Sequence, residues 1–230
     1  MSYPVFVVCR DRYTMLVNLL DWLESVGHAD EVYLLDNAST YPPLLDFYET
    51  TRHTVIRVGA NRGHRVGWDA GYIRQHAAGR RFVYTDPDVL PVDDCPADAV
   101  DRMAAVLDRD GAALKCGFSI KIDDLHPAYL EPIGKWEAPF WQRYIDRVGA
   151  YRAPIDTTFA LYSADAARRF AFKPAYRLPP PYSIRHLPWY TDPGRLDPED
   201  EYYQSHADKK VSNWARDVTE FRDACDSGGS

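Results

Sequence analysis

The 230-residue chain predicts a doubly wound α/β fold with a mostly parallel sheet. Three observations carry that expectation. Short apolar runs are rich in β-branched and aromatic residues, stretches of helical spacing separate them, and polar or glycine-bearing segments follow each run. Val5-Phe-Val-Val-Cys9 is the first run and reads as a strand buried on both faces. Tyr13 to Val26 then sets Leu16, Leu19, Leu20 and Leu23 at helical spacing, with Gly27 placed to end the helix. Glu31–Leu35 is a second strand, and Pro43 to Thr50 a short helix opened by a proline pair. Thr54–Val58 is a third strand, Val66 to His76 a helix, and Arg81–Thr85 a fourth strand. Ala97 to Asp108 is helical again, and Ala112–Cys116 is a fifth strand.

Residues 1–118 therefore read as one doubly wound α/β half. Residues 119–222 read as a second half of the same domain, irregular and rich in proline and aromatics, and 223–230 as a flexible tail. In the second half the pattern predicts helices over Pro139–Val148 and Ala164–Phe170, a strand over Asp156–Tyr162, and a last helix over Glu199–Ala207.

Composition excludes several classes. The net charge of −7 argues against a nucleic-acid partner, which calls for a basic face. No apolar run approaches the roughly 20 residues of a membrane span. Met1-Ser-Tyr-Pro leads straight into a strand rather than a signal peptide, so the expected location is cytoplasmic. Cys9, Cys95, Cys116 and Cys225 show neither a CxxC pair nor zinc spacing and read as reduced thiols. The aromatic second half has room for a homodimer contact.

In open α/β sheets ligands bind beyond the carboxyl ends of the strands. Those ends carry Arg10-Asp-Arg12, Asp36-Asn-Ala-Ser-Thr40, Gly59-Ala-Asn61-Arg-Gly63-His64 and Asp86-Pro-Asp88. There is no GxGxxG after the first strand and no GxxxxGK[ST], so neither a dinucleotide fingerprint nor a P-loop is present. With 26 Asp in the chain, DxD arises by chance about three times, and Asp108-Arg-Asp110 at a helix end reads as such a case. Asp86 and Asp88 differ in standing directly after an apolar strand. Two carboxylates two apart there can share one Mg²⁺ or Mn²⁺, completed by diphosphate oxygens and water; the plainer reading is a turn. Asp36 is an acceptor-only carboxylate suited to a pyrimidine N–H, in a segment that equally suits a turn or cap. The Asn61–His64 loop before a helix lets backbone N–H groups approach phosphate or ribose.

Together with Trp68-Asp69-Ala-Gly71-Tyr72, these motifs resemble, in order and spacing over about residues 4–92, the A-type-fold (GT-A) glycosyltransferases, family 2 especially. The resemblance implies a GT-A-like fold and a metal-dependent transfer of sugar from a nucleotide-diphosphate sugar, most often a UDP-sugar. The acceptor would be a carbohydrate or other hydroxyl-bearing molecule. It implies that Arg10, Asp36, Asn61, Gly63, Asp69 and Asp86 face the nucleotide, and that Asp86 and Asp88 hold Mn²⁺ or Mg²⁺. His186 is the counterpart of a late histidine that joins the metal or diphosphate, or else a structural residue. For the base of an inverting transfer, favoured over retention, Asp156 fits best, with Glu137 as the alternative and Asp123 and Asp124 as further rivals. Two other functions compete: a non-catalytic nucleotide-sugar or glycan-binding protein, and a sugar-1-phosphate nucleotidyltransferase. The latter calls for a glycine-rich loop after the first strand, where Arg10-Asp-Arg-Tyr has no glycine.

Overall fold

In the computed structural model, which describes residues 2–207, the chain alternates β1 (Val5–Cys9), α1 (Tyr13–Ser25), β2 (Val32–Asp36), α2 (Pro42–Thr50), β3 (Thr54–Arg57), α3 (Val66–Asp69), α4 (Tyr72–Ala77) and β4 (Phe82–Thr85). Then follow β5 (Val89–Pro91), α5 (Ala99–Arg109), β6 (Lys115–Gly117), β7 (Ser119–Ile120) and α6 (Pro127–Glu137). The rest is β8 (Tyr144–Ile145), β9 (Ala150–Arg152), β10 (Ala160–Tyr162), β11 (Ala175–Arg177), β12 (Ser183–His186) and α7 (Pro198–His206), with short 3₁₀ turns at Ala138–Trp141, Ala164–Arg168 and Leu187–Tyr190. The expected tail at 223–230 and the end of the second half lie outside the described residues.

Every residue of β1 is buried, and the two-residue period of a strand divides them between two cores. Val5, Val7 and Cys9 pack with Leu16, Leu19, Leu20 and Leu23 of α1, with α2 and with α5. Phe6 and Val8 face the other way, toward Val66 of α3, Ile73 and Ala77 of α4, and Ala166. Helices on both faces are what a doubly wound sheet requires, and that expected class is present.

The main sheet has the order β3-β2-β1-β4-β10-β6-β11-β9-β8. Following its pairings outward, β3, β2, β1, β4, β6, β11 and β8 run one way, while β10 and β9 run the other. The sheet is therefore mostly parallel, and β10, from the second half of the chain, is threaded between β4 and β6 of the first. A smaller sheet, β5-β12-β7, flanks it.

Three local readings need correction. The expected helix over 66–76 is two helices, because Gly71 takes a left-handed backbone (φ +79°) between them. No helix occupies 139–148. After one 3₁₀ turn the chain forms the β8–β9 hairpin, which turns at Gly149 (φ +74°) and sets Tyr144 against Tyr151 with ring centroids 5.1 Å apart. Conversely, α6 was not expected, since Pro132 and Gly134 sit inside it; it starts at Pro127 and is capped by the His126 side chain, which accepts from Ala128 N–H.

α7 lies back over the start of the chain. Asp200 is ion-paired with the buried Arg12, Glu199 accepts from Thr14 N–H and Oγ1–H (both 2.9 Å), and the Tyr202 hydroxyl reaches Thr40. Cys9, Cys95 and Cys116 are free thiols, the first and last of them buried. No described helix is long and apolar enough to cross a membrane.

β6 and β10 pack so tightly that Gly117 admits no side chain: an added Cβ would stand 2.5 Å from the Phe159 carbonyl oxygen and 2.9 Å from Ala160 Cβ. Gly117→Ala is expected to destabilise the fold by about 1–3 kcal/mol, as overpacking against backbone does. A urea midpoint matching the parent's would contradict that.

Candidate active site

Because β1, β2, β3 and β4 are parallel, the loops that leave them open on one end of the sheet. β10 is antiparallel to β4, with Ala160 opposite Tyr84 and Tyr162 opposite Phe82, so the segment entering β10 lies at that same end. This register brings Thr157 to Asp86. Asp86 N–H donates to the Thr157 carbonyl (3.2 Å), and the Thr157 hydroxyl donates to Asp86 Oδ2 (2.6 Å). Asp156, beside Thr157, projects its carboxylate outward, 60% exposed and 4.0 Å from His64 Nε2.

The small sheet performs the second long-range assembly. β12 pairs with β5 so that His186 stands opposite Val89, and Leu187 N–H donates to the Asp88 carbonyl at 2.8 Å. His186 Nε2 then lies 3.8 Å from Asp88 Oδ2. Strand alternation sends Arg185 to the other side, where it meets Asp93 and Asp124; Asp123 pairs with Lys121. These rivals are thus held in a separate surface network.

Burial raises the pKa of Asp86, and the neighbouring Asp88 and Asp156 charges raise it further, against the Thr157 hydrogen bond. His186 is buried and its pKa is lowered, first by desolvation and also by the Arg12 cation, while Asp88 and Asp156 oppose the shift. A neutral imidazole is the form that ligates metals.

On the opposite flank the loops are clasped together. Arg10 Nη1 donates to the carbonyls of Asn37 (2.9 Å) and Ala38 (3.0 Å). Asn37 Nδ2 donates to Asn61 Oδ1 (3.0 Å) and the Gly63 carbonyl (3.1 Å), and its Oδ1 accepts from Arg62 N–H (2.8 Å). Gly63 takes the left-handed backbone (φ +73°) that this hairpin-like clasp uses. Asp69 is exposed at the end of α3. Asp36 is buried, accepts from Ser39 N–H (3.0 Å) and pairs with Arg57 (3.2 Å).

Glu137, the alternative base, stands elsewhere. It is buried in an ion pair with Arg177 (2.5 Å), whose guanidinium also lies over the Phe140 ring. Asp108-Arg-Asp110 ends α5, with Asp108 on Arg81 and Asp110 accepting from Tyr176 (2.5 Å).

A divalent cation is the group implied by the Asp86, Asp88 and His186 set. Asp88 Oδ1 is a buried acceptor without a hydrogen-bond partner among the described residues, which suits a cation. Among the described residues no three His, Cys, Asp or Glu side chains converge as a metal cluster, Asp86 being turned toward Thr157. One or two protein carboxylates suffice where substrate phosphates and water supply the other ligands, as is usual for Mg²⁺.

Asp11, Arg12 and Asn37 stand in the strand-end segments read from the sequence but were not singled out there, and Lys115 and Thr157 were not noticed at all. Asp11 carried no signal beyond its place after a strand; it is buried, has positive φ (49°), and accepts from the N–H groups of Thr40 (2.5 Å) and Tyr41 (2.8 Å).

No protein-family model matches the chain, and no curated protein matches it. Among solved structures, TarS of S. aureus matches with a TM-score of 0.38 and 19% identity, over 55% of this chain. The chain spans only 23% of TarS. Glucosyl-3-phosphoglycerate synthase from Mycobacterium tuberculosis, in complex with UDP, matches with a TM-score of 0.42 and 13% identity, over 97% of this chain and 79% of that one. A mycobacterial protein matches at 0.45 and 12%, over 97% and 74%.

Proposed function

We propose that the chain is a glycosyltransferase that moves a sugar from a nucleotide-diphosphate sugar, with UDP the first candidate nucleotide, to an acceptor hydroxyl. One observation carries this reading: Asp88 and His186, Asp86 and Thr157, and Asp156 meet at the carboxyl end of the parallel strands, beside the interlocked loops that follow β2 and β3. A domain division follows from it, with residues 1–118 as the donor half and the later segments as the acceptor half.

Asp88, with His186 beside it and Asp86 adjacent, would hold Mn²⁺ or Mg²⁺. Bound there, the ion would supply Lewis-acid stabilisation to a departing diphosphate. The chain's own residues do the rest. Arg10, Asn37 and Asn61 fix the loops that the nucleotide lies against, and Asp36 locks the turn at the end of β2 through Ser39. Asp156 takes the proton of the acceptor hydroxyl as that oxygen bonds to the anomeric carbon. The bond to the diphosphate oxygen breaks, and its electron pair leaves with the phosphate. This course inverts the anomeric centre.

The test is thermal-shift titration with UDP, GDP, CDP and dTDP, each with and without Mn²⁺. A nucleotide present at a thousand times its Kd adds about 4 kcal/mol of stability. A metal-dependent shift with one nucleotide is the expected result, and no shift with any of them in folded protein would overturn the donor reading. For the base, Asp156→Asn is expected to lower kcat by about 10²–10⁴-fold while keeping the nucleotide shift. Unchanged kcat in that variant would assign transfer to a course that needs no base at this position.

A further inference from the structure

The centre of the sheet buries a lysine that the reaction outlined above does not use. Lys115 on β6 is fully buried, with Nζ 3.1 Å from the Asp156 carbonyl oxygen and 3.1 Å from the Tyr162 hydroxyl. Its Nζ also lies over the rings of Phe170 (4.7 Å) and Tyr162 (4.8 Å). Among the described residues no carboxylate forms an ion pair with it. The acidic residue whose charge acts on it is Asp156, whose carboxylate points out toward His64. An unpaired ammonium in such a place is costly, and an apolar side chain on that face of β6 would avoid the cost. Packing alone gives no reason for lysine here.

What Lys115 touches is the inward side of the segment that carries the acceptor-side carboxylate. Residues 153–158 run between β9 and β10 and are tied at every turn. Arg177 Nε donates to the Pro154 carbonyl (3.0 Å), Ile155 N–H to the Phe172 carbonyl (3.1 Å), and Asp86 N–H to the Thr157 carbonyl (3.2 Å). The Asp156 carbonyl points inward to Lys115 and Tyr162, so its side chain must point outward. A hydrogen bond from a charged donor is roughly twice as strong as one between neutral groups.

We propose that Lys115 is a positioning residue for Asp156: by holding the Asp156 carbonyl inside the core, it fixes the outward direction of the carboxylate and the seat of Thr157 on Asp86. The proposal rests on the reading of Asp156 as the base.

Burial pushes Lys115 down to about 7, with Arg177 lowering it and Asp156 raising it. The titratable and charged groups that face it are Asp156 on the entering segment, Tyr162 on β10 and Arg177 on β11. Tyr162 stays a neutral phenol, its pKa raised well above the usual range by burial. The charged form of the clamp is therefore present below neutral pH and is lost as pH rises through about 7. Stability runs oppositely: unfolded Lys115 keeps its proton up to its ordinary range, so the folded state gains on Lys115→Met as pH rises above 7.

The experiment measures kcat and KM across pH in the parent protein and in Lys115→Met. The expected result is a kcat lower by about tenfold or more, as misplacement of a reacting group costs. UDP affinity and donor KM stay within about twofold, and the parent's alkaline limb near neutrality is missing from the variant. Unchanged kcat with the limb retained would overturn the proposal, as would a parallel loss of nucleotide binding. A second measurement needs neither activity nor a variant: in the parent, the ¹⁵Nζ signal of Lys115 and the ¹³C′ signal of Asp156 are followed together by NMR. A shared midpoint supports the clamp, and an Asp156 carbonyl indifferent to Lys115 rejects it. If the two titrate together while no donor is turned over, the clamp stands and the glycosyltransferase reading fails.

Discussion

Asp88→Ala is expected to abolish both transfer and the metal-dependent nucleotide shift while leaving the fold intact. The carboxylate gives up little structure when removed, since Oδ1 has no partner among the described residues and the Leu187 N–H bonds to the Asp88 backbone. A loss of about a thousandfold in kcat/KM corresponds to roughly 4 kcal/mol of transition-state stabilisation, within what a metal Lewis acid supplies. Asp86→Ala should behave differently, because it also frees the Thr157 hydroxyl and so loosens the segment that bears Asp156. The pair is separated by melting temperature and by Mn²⁺ titration in each variant. Turnover at the parent's rate in Asp88→Ala would remove the metal from the mechanism.

The largest effect on stability is expected at Glu137. Its carboxylate is buried against Arg177 and, without that guanidinium, burial would push its pKa up still further. Glu137→Ala leaves a buried cation uncompensated, a loss of about 3–5 kcal/mol. The double change Glu137→Leu with Arg177→Met should recover much of it, since a buried pair is often replaceable by apolar residues of similar volume. Urea unfolding of the two single variants and the double variant measures this directly. Glu137→Gln with parental stability and no transfer would instead return Glu137 to the role of base and displace Asp156.

The contrast between these two carboxylates shows what the sequence does and does not disclose. The parallel half was legible because β1, β2 and β4 are uninterrupted apolar runs that fill two cores, and such runs advertise themselves. The rule that ligands lie at strand ends then singled out Asp86, Asp88 and the Asn61 loop as candidates. Glu137 and Asp156 looked alike as acidic residues in an irregular stretch, and only tertiary placement separates a buried partner of Arg177 from a carboxylate at the sheet's end. The small sheet was equally silent. β5, β7 and β12 have three, two and four residues, too few for any periodicity, yet they set His186 beside Asp88. Lys115 is hidden for a related reason: its partners, Asp156 and Tyr162, lie far along the chain and meet it through β10, a strand inserted into the earlier sheet. Asp36 shows the opposite case, a residue singled out by its place at a strand end whose oxygens the chain itself engages through Ser39 and Arg57.

The fastening of α7 onto the start of the chain has a consequence for the order of events during synthesis. Arg12 and Thr14 leave the ribosome early, but the acids that satisfy them, Asp200 and Glu199, follow nearly 190 residues later. At translation rates of roughly 5–20 residues per second, the turn after β1 spends on the order of ten seconds or more with a cation that has no partner to be buried with. That turn also carries Arg10, which holds the β2 loop. The end of the sheet that carries these strand-end loops is thus begun early and is completed only once α7 has emerged.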